Sequence, residues 1–380
     1  MSKARVISFY LPQFHPVPEN DLWWGKGFTE WTNVAKAKPL YRSHVQPKIP
    51  ADLGFYDLRL PEVRKAQADM AREAGVEGFC YWHYWFGNGR QILEKPFESV
   101  VKSGEPDFPF CLAWANHSWT NKTWQKNKTF QKDTVFLEQT YGDDEDYIAH
   151  FNSLLPAFKD ERYITVDGRL LFLIYMPFHF ENLPHFIKLW QSLAEENGLP
   201  GFYFVGTVET LGRLDRGYSH DYTQDAGENI DKALALGLDA VNTFSMRRAE
   251  MLSSGKNKMF YRRILNHVIP SSTLQKYSYK TITDNWFCKE DSRENVFPTI
   301  MPRWDRTPRL GRGADIYDGS TPELFKKHVN DALRIIENKN SEHKIVFLRA
   351  WNEWGEGNYM EPDLQWGNKY CEALAEALFK

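Results

Sequence analysis

The chain has 380 residues, 42% of them hydrophobic, and a formal net charge of −3, with 47 Lys and Arg against 50 Asp and Glu. This balance lacks the excess of positive charge typical of nucleic-acid-binding proteins, so we expect no nucleic-acid partner. No apolar run approaches about 18 residues, and the opening MSKARVISFYLPQFHP has too short an apolar stretch for a signal peptide, so we expect a cytoplasmic protein with no transmembrane segment.

Eight apolar runs predict β-strands. Most of them are nearly continuous rather than alternating, which is typical of strands that are buried on both faces of a parallel sheet. In chain order they cover residues 4–11, 77–85, 108–115, 170–176, 202–208, 239–245, 296–304 and 344–351.

Several segments between these strands predict helices. Residues 60–75 have Pro61 in the first turn and Gly75 at the end, which is the usual asymmetry of a helix. Residues 143–160 open with acidic side chains, which favour a helix N-terminus. Further helices are predicted at 183–198, 320–340 and 366–380.

The repeated alternation of strand and helix predicts the fold class. It favours an α/β protein with a (β/α)8 TIM-type barrel, and the alternative is an open doubly wound sheet. Without an internal repeat, low-complexity segment or linker, we expect one domain over residues 1–380, with long loops after the strands. The longest irregular stretches are expected at 11–59, 116–142 and 268–295.

Polar and aromatic residues are concentrated after five of the predicted strands. The segments PQFHPVPENDLWWGKGFTEW, WHYWFGNG, NHSWTNKTW, RWDRTPR and NEWGEG follow or end strands one, two, three, seven and eight. In barrels of this type the active site is built by the loops at the C-terminal ends of the strands. Aromatic rings mixed with hydrogen-bonding groups suit a ligand with apolar faces and polar edges, so we predict an oligo- or polysaccharide substrate.

Two glutamates three residues apart follow the last strand, in RAWNEWGEG. Glycoside cleavage requires one protonated and one ionised carboxyl group, and Glu353 and Glu356 are close enough in sequence to form such a pair. Their mutual repulsion and the neighbouring tryptophans would raise one pKa toward neutrality. The alternatives are a solvated acidic loop, or an ion pair between Glu356 and an arginine such as Arg349.

Three long motifs carry a resemblance to a known family. YLPQFHPVPENDLWWGKGFTEWTNVAKAKPLY, DLGFYDLRLPEVRKAQADMAREAGVEGFCYWHYWF and WNEWGEGNYMEPD resemble the WbsX family, over about residues 5 to 370. That family is named for glycosyltransferases of surface-polysaccharide clusters and is similar to the glycoside hydrolase family 99 endomannosidases.

The resemblance implies a catalytic role for each glutamate. It makes Glu353 the base that takes a proton from a sugar 2-hydroxyl, and Glu356 the acid that protonates the leaving oxygen and later activates water. It also implies retention of configuration through an anhydro-sugar intermediate. The chain departs from the family at His117, where relatives commonly have glutamate.

The predicted substrate-binding residues come from the same segments. Local alternatives remain open: Glu30 as a solvated side chain, Asp305 paired with Arg306 or Arg309, and the histidines as structural groups. The predicted residues are Gln13, His15, Glu30, Trp31, Tyr81, His83, Trp114, Asn116, His117, Trp119, Trp304, Asp305, Trp351, Asn352, Trp354 and Glu361.

The sequence also leaves three other possibilities. A metal site formed by His15, His83 and His117 lacks a recognisable ligand spacing, so we expect no metal and no cofactor. A nucleotide-sugar glycosyltransferase in O-antigen or capsule biosynthesis could use the acidic string at 144–146, although that string also fits the start of a helix. A non-catalytic glycan-binding protein would need the aromatic residues but not the glutamate pair. The oligomeric state is left open.

Overall fold

Eight parallel strands close into a barrel in the computed structural model, which describes residues 2–120, 135–211, 226–254 and 274–380. The barrel strands are β1 (Arg5–Tyr10), β2 (Val76–His83), β3 (Phe110–Trp114), β4 (Arg169–Ile174), β5 (Phe202–Glu209), β6 (Ala240–Phe244), β7 (Val296–Ile300) and β8 (Ile345–Leu348).

Each strand pairs in parallel with the next one in the chain, and the last pairs with the first. The closing pair aligns Arg5 of β1 with Ile345 of β8, and β3 pairs with β4 through Leu112 and Phe172. All eight predicted strands are therefore confirmed, and the fold is a single-domain (β/α)8 barrel rather than an open doubly wound sheet.

Helices connect the strands on the outside of the barrel, and all five predicted helices are present. Side-chain caps define some of their starts: Asp143 accepts a hydrogen bond from the backbone N–H of Asp146, and Thr321 accepts one from Leu324. The helices are α1 (Pro18–Trp24), α2 (Glu30–Lys36), α3 (Pro61–Glu73), α4 (Lys95–Ser103), α5 (Asp144–Phe158), α6 (Leu183–Glu196), α7 (Ala226–Leu234), α8 (Met246–Ser254), α9 (Tyr279–Asp284), α10 (Thr307–Leu310), α11 (Pro322–Ile336) and α12 (Lys369–Phe379).

The loops contain more regular structure than the sequence indicated. The stretch 11–59 includes α1 and α2, and α9 lies within 268–295, of which 268–273 is outside the described residues, as is most of 116–142. Strand seven ends at Ile300, earlier than expected. Short strands form outside the barrel at Trp119–Thr120, Val135–Leu137, Thr165–Val166, Gln275–Ser278, Trp304–Asp305, Asp315–Asp318, Asn352–Glu353 and Asn358–Tyr359.

Large aromatic side chains fill both sides of the barrel wall. Phe9 of β1 stacks on Trp82 of β2, with ring centroids 4.7 Å apart, and on Phe347 of β8 at 5.4 Å. The alternate residue Tyr10 points to the other side, where its hydroxyl donates a hydrogen bond to Gln67 of α3. Among the described residues, no helix is long and apolar enough to cross a membrane.

The close packing of β2 against its neighbours makes Gly78 a sensitive position. A Cβ atom there would lie 2.4 Å from the carbonyl oxygen of Pro109, whereas a Cβ at the exposed Gly313 would meet nothing within 4 Å. We expect Gly78→Ala to lower the free energy of unfolding by about 1–3 kcal/mol, measured by urea denaturation. Gly313→Ala is the control and should leave the midpoint nearly unchanged; equal midpoints for the two variants would contradict this account of the packing.

Candidate active site

A cavity of about 770 Å³ lies at the C-terminal end of the barrel. Residues that end or follow β1, β2, β3, β4, β7 and β8 line it, so it occupies the position where barrel enzymes bind their substrates. Both glutamates of the predicted pair, Glu353 and Glu356, are among the lining residues.

One arginine holds the two glutamates together. The Nη1 atom of Arg309 lies 3.2 Å from Oε1 of Glu353 and 2.8 Å from Oε1 of Glu356. Because both oxygens contact the same nitrogen, they are no more than about 6 Å apart. Arg306 adds a second ion pair to Glu356, with its Nε 3.2 Å from Oε1.

A third carboxylate fixes Arg309 from behind. Glu30, the first residue of α2, is fully buried, and its Oε1 lies 2.9 Å from Nη2 of Arg309 and 3.0 Å from Nε. The same oxygen lies where a side chain at Gly355 would begin, since a Cβ at 355 would be only 1.6 Å from it. The glycine between the two glutamates is therefore required for Glu30 and Arg309 to reach them.

The surroundings drive the pKa values of the two glutamates in opposite directions. Burial and the neighbouring charge of Glu356 raise the pKa of Glu353 to about 7, although Arg309 and Arg349 oppose the rise. Burial would also raise the pKa of Glu356, but the guanidinium groups of Arg306, Arg309 and Arg349 together outweigh burial and lower it. Glu356 is thus the ionised member of the pair, and Glu353 the member that holds a proton near neutral pH.

Aromatic and polar side chains complete the cavity. Trp82, Tyr84 and Tyr175 lie on the side of β2 and β4, and Trp119 packs edge-on against Tyr84 with centroids 5.3 Å apart. Flat rings around a polar centre suit the stacking of a sugar ring.

The loop after β3 contributes two polar residues to the cavity. The His117 ring lies beside Tyr175, at a centroid distance of 5.6 Å, and burial lowers its pKa to about 4, so it is neutral at neutral pH. The side-chain amide of Asn116 hydrogen-bonds both the N–H and the carbonyl oxygen of Met176, at 2.7 and 3.0 Å. Asn116 therefore ties the loops after β3 and β4 together.

The structure brings some of the predicted site residues together and separates others from them. In the described part of the chain, the predicted residues that line the cavity are Gln13, Asn116, His117, Trp119, Glu353 and Glu356. The remaining predicted residues are buried beneath or beside it, with partners inside the protein.

One group of these buried residues supports the segment that carries the glutamates. Glu361 accepts hydrogen bonds from Trp354 and Gln67, both at 2.6 Å, and from Tyr56 at 2.9 Å. Asn352 bonds to the backbone N–H and carbonyl of Leu11. Trp31 and Trp351 are buried as well, with Trp31 next to Trp354 and Trp351 next to Phe79. These contacts position the glutamates rather than a ligand in the cavity.

A second group of predicted residues lies in other packing environments. His15 contacts the carbonyl of Pro12, and Trp304 donates its indole N–H to Asp315. Asp305 accepts hydrogen bonds from His44 and Gln46, not from Arg306 or Arg309, because both arginines face the glutamates. His83 contacts His150, Trp114 packs against the same ring, and Tyr81 packs on Phe97 outside the barrel interior.

Several cavity residues were not predicted from the sequence. Arg306 and Arg309 lie in the RWDRTPR segment, where the sequence suggests them only as partners of Asp305. Tyr84 lies in the aromatic cluster after β2, and Tyr175 begins the segment YMPFHFEN after β4, a mixture of aromatic and polar residues that is a signal for the site missing from the sequence prediction. Glu30 was predicted to bind a ligand, and the structure shows it as the partner of Arg309 instead.

The structure thus defines a (β/α)8-barrel protein with a cavity of aromatic and acidic residues at the C-terminal end of the barrel. The family profile described as "Glycosyltransferase WbsX" matches residues 6–374, and the chain belongs to this family.

The chain is also similar to individual proteins, and the solved structures among them share its fold. The chain is 32% identical over 378 residues to the "Uncharacterized protein WxcX" of Xanthomonas campestris pv. campestris, covering 99% of this chain and 50% of that protein. It thus spans about half the length of the curated relatives that it matches. Among solved structures it is similar to a "Glycoside hydrolase-like protein" (TM-score 0.57, 15% identity, 99% and 94% coverage) and to a GH99 endo-alpha-mannosidase from Bacteroides thetaiotaomicron (TM-score 0.51, 14% identity, 98% and 95% coverage).

The raised pKa of Glu353 predicts a pH dependence of stability. A carboxyl group whose pKa rises from 4.5 to about 7 on folding binds its proton more tightly in the folded protein. Its contribution to the free energy of unfolding is therefore fully present below about pH 4.5 and is lost as the pH rises through about 7. Burial also raises the pKa of Glu361 to about 7, so Glu361 contributes to stability in the same direction. We expect Glu353→Gln to reduce the fall in melting temperature across this range.

Melting curves of the wild type and of variants at several pH values test this expectation. Glu73→Gln, which changes an exposed residue at the far end of α3, is the control and should keep the wild-type slope. A Glu353→Gln protein whose melting temperature falls as steeply as that of the wild type would show that Glu353 is ionised throughout.

Proposed function

We propose that the chain cleaves or transfers a glycosidic bond in a glycan of the surface-polysaccharide type, with retention of configuration, and that Glu353 and Glu356 carry the reaction. The observation that carries this proposal is the pair of carboxylates joined by Arg309 at the surface of an aromatic cavity. The family and the barrel fold that the chain shares with glycoside hydrolases support a glycan substrate.

The spacing of the pair supports retention. Retaining glycosidases hold their two carboxyl groups about 5–5.5 Å apart, whereas inverting enzymes need about 6.5–9.5 Å to admit a water molecule. The oxygens of Glu353 and Glu356 that share Nη1 of Arg309 are within about 6 Å. A separation of this size is nearer to the retaining range than to the inverting range and supports the retaining reaction.

The ion pairs support a definite division of roles. Among the described residues, Glu356 contacts two guanidinium groups and has a lowered pKa, while Glu353 contacts one of them and has a raised pKa. We therefore assign the proton transfer to the leaving oxygen to Glu353, and the stabilising negative charge on the sugar side to Glu356. This is the reverse of the order that the family resemblance implies.

The reaction can be written with these roles. Glu353 gives its proton to the glycosidic oxygen as the bond from that oxygen to the anomeric carbon breaks. Glu356 assists from the sugar side, either by bonding to the anomeric carbon or by taking the 2-hydroxyl proton as that oxygen attacks the carbon. A water molecule or an acceptor hydroxyl then attacks the same carbon and gives its proton to Glu353. In the first route the bond from that carbon to Glu356 breaks and releases the carboxylate; in the second the bond from that carbon to the 2-oxygen breaks, and the 2-oxygen takes its proton back from Glu356, so both carboxyl groups are restored.

The nucleotide-sugar alternative receives less support from the acidic string at 144–146. The string begins α5, where Asp144 pairs with His185 at 2.6 Å and Asp146 accepts a hydrogen bond from the indole of Trp85 at 3.3 Å. These acids have partners within the fold and lie outside the cavity lining in the described residues. A transferase that uses the glutamate pair differs from a hydrolase only in the second step, in which an acceptor hydroxyl instead of water attacks the anomeric carbon.

The substrate class can be tested directly. The protein is incubated with surface polysaccharide from the organism that encodes it, and the products are followed by mass spectrometry. Fragments with one added water indicate hydrolysis, and exchange between chains indicates transfer. Extension that requires an added nucleotide sugar would favour the alternative, and an unchanged polysaccharide bound by the protein would favour a glycan-binding protein.

Conservative variants of the two glutamates test the roles. On a glycan that the wild type turns over, we expect Glu353→Gln and Glu356→Gln each to lower the rate by about 10²–10⁴, since general acid–base catalysis is commonly worth that much. On a substrate whose leaving group needs no protonation, Glu353→Gln should recover in the bond-cleaving step and Glu356→Gln should not.

The control for these variants is again Glu73→Gln, which should retain the wild-type rate. Recovery of Glu356→Gln instead of Glu353→Gln would restore the order implied by the family resemblance. Near wild-type rates for both variants would refute the catalytic assignment.

A further inference from the structure

The cavity contains a buried arginine, Arg349, that forms no ion pair in the described residues, unlike Arg306 and Arg309. Arg349 directly follows β8, is only 8% exposed, and lines the cavity. Within the described ranges, no carboxylate lies within ion-pair distance of its guanidinium group, and its buried Nε has no hydrogen-bond partner. It interacts with the side chain of Tyr175, which also lines the cavity.

Arg306 and Arg309, which also line the cavity, both form ion pairs with acidic side chains. Arg309 contacts Glu30, Glu353 and Glu356, and Arg306 contacts Glu356 at 3.2 Å and Asp315 at 3.8 Å. A guanidinium group that is buried without a direct counterion is costly, because its charge has lost water and gained no equivalent contact. The position of Arg349 therefore requires an explanation beyond the support of the glutamate pair.

Aromatic rings hold the guanidinium group of Arg349 in a defined place. Its central carbon lies 4.1 Å from the ring centre of Phe244 and 6.0 Å from that of Trp304. Stacking of this kind orients the planar group while leaving its N–H donors free at the edges. A planar, pre-oriented set of donors matches a carboxylate or a phosphate, which can accept two of them at once.

We propose that Arg349 binds an anionic substituent, a carboxylate or a phosphate, on the sugar that occupies the cavity, so that the substrate is an acidic glycan. This inference rests on the proposed function for the location of the sugar. It adds the substrate class, which neither the family nor the catalytic pair specifies.

The other charged groups around the cavity are compatible with an anion at this position. In the described part of the chain, Glu353 and Glu356 are the acids that line it; Glu356 is matched by Arg306 and Arg309, and the raised pKa of Glu353, about 7, leaves it only partly ionised at neutral pH. Glu209, at the end of β5, is also within electrostatic range of Arg349, and burial raises the pKa of Glu209 to about 8, which leaves it largely uncharged.

Binding measurements with matched sugars test the inference without requiring turnover. The probes are the methyl glycosides of glucuronic acid and galacturonic acid, their neutral counterparts methyl glucoside and methyl galactoside, and glucose 6-phosphate. Binding to the wild type is followed by ligand-observed NMR and by tryptophan fluorescence, since Trp82 and Trp119 line the cavity. We expect the uronates or the phosphate to bind more tightly than the neutral sugars, and the preferred one identifies the anion.

The contribution of Arg349 is measured with two substitutions. Arg349→Gln should lower the affinity for the anionic probe by about 10- to 100-fold, as expected for the loss of charge-assisted hydrogen bonds, and leave the affinity for the neutral sugars unchanged. Arg349→Lys keeps the charge but not the planar fork, so it should recover part of the loss. Arg334→Gln, at an exposed position in α11, is the control and should bind as the wild type does.

The outcomes separate this inference from the proposed function. Equal binding of acidic and neutral sugars by the wild type, absence of binding by every anionic probe, or an equal loss of both classes in Arg349→Gln would overturn the role of Arg349, while the glutamate variants could still show the catalytic effect. A preference for acidic sugars that depends on Arg349, in a protein that cleaves and transfers no glycan, would support the anion site and refute the proposed function.

Discussion

The ion pairs of Arg309 connect the parts of the molecule on which the candidate site depends. This one buried side chain contacts Glu30 from the loop after β1 and both Glu353 and Glu356 after β8, while it comes itself from the segment after β7. Removing one partner of a buried ion pair is costly, so separating any of the three segments would leave a buried charge without its partner. The same contacts set which glutamate is ionised, because Glu356 lies nearest to the positive charges.

The barrel and the cavity share aromatic side chains. Trp82 stacks on Phe9 inside the barrel and also lines the cavity, so the packed interior forms the floor on which a ligand would rest. In the segment of the glutamates, the ring of Trp354 stacks on that of Tyr359 with centroids 3.7 Å apart, and its indole N–H donates a hydrogen bond to Glu361. Trp82 thus contributes to both the packed interior and the cavity, whereas Trp354 and Tyr359 are buried behind the glutamates.

The fold was largely predictable, and the site was predictable in part. Continuous apolar runs identify buried parallel strands, and the order of strands and helices leaves few topologies. The glutamate pair and His117 were found because they directly follow strands. The sequence predicts ligand contacts for Trp31, Trp354 and Glu361, but in the structure they contact each other or Tyr56. A polar residue beside an aromatic one forms the same sequence pattern whether its hydrogen-bond partner is a sugar or another part of the protein.

The sequence by itself determined the barrel, the end of the barrel that carries the site and the two glutamates, because these follow from local periodicity and from the position of residues relative to strand ends. Tertiary structure alone decided the partners of the charges. Arg309 lies 279 residues from Glu30. Arg349 lies only four residues before Glu353 in the sequence, yet in the described residues it forms no direct ion pair with either glutamate. Asp305 contacts His44 instead of its neighbouring arginines. Ion pairs depend on distances of a few ångströms between side chains from separate loops, and sequence spacing does not encode those distances.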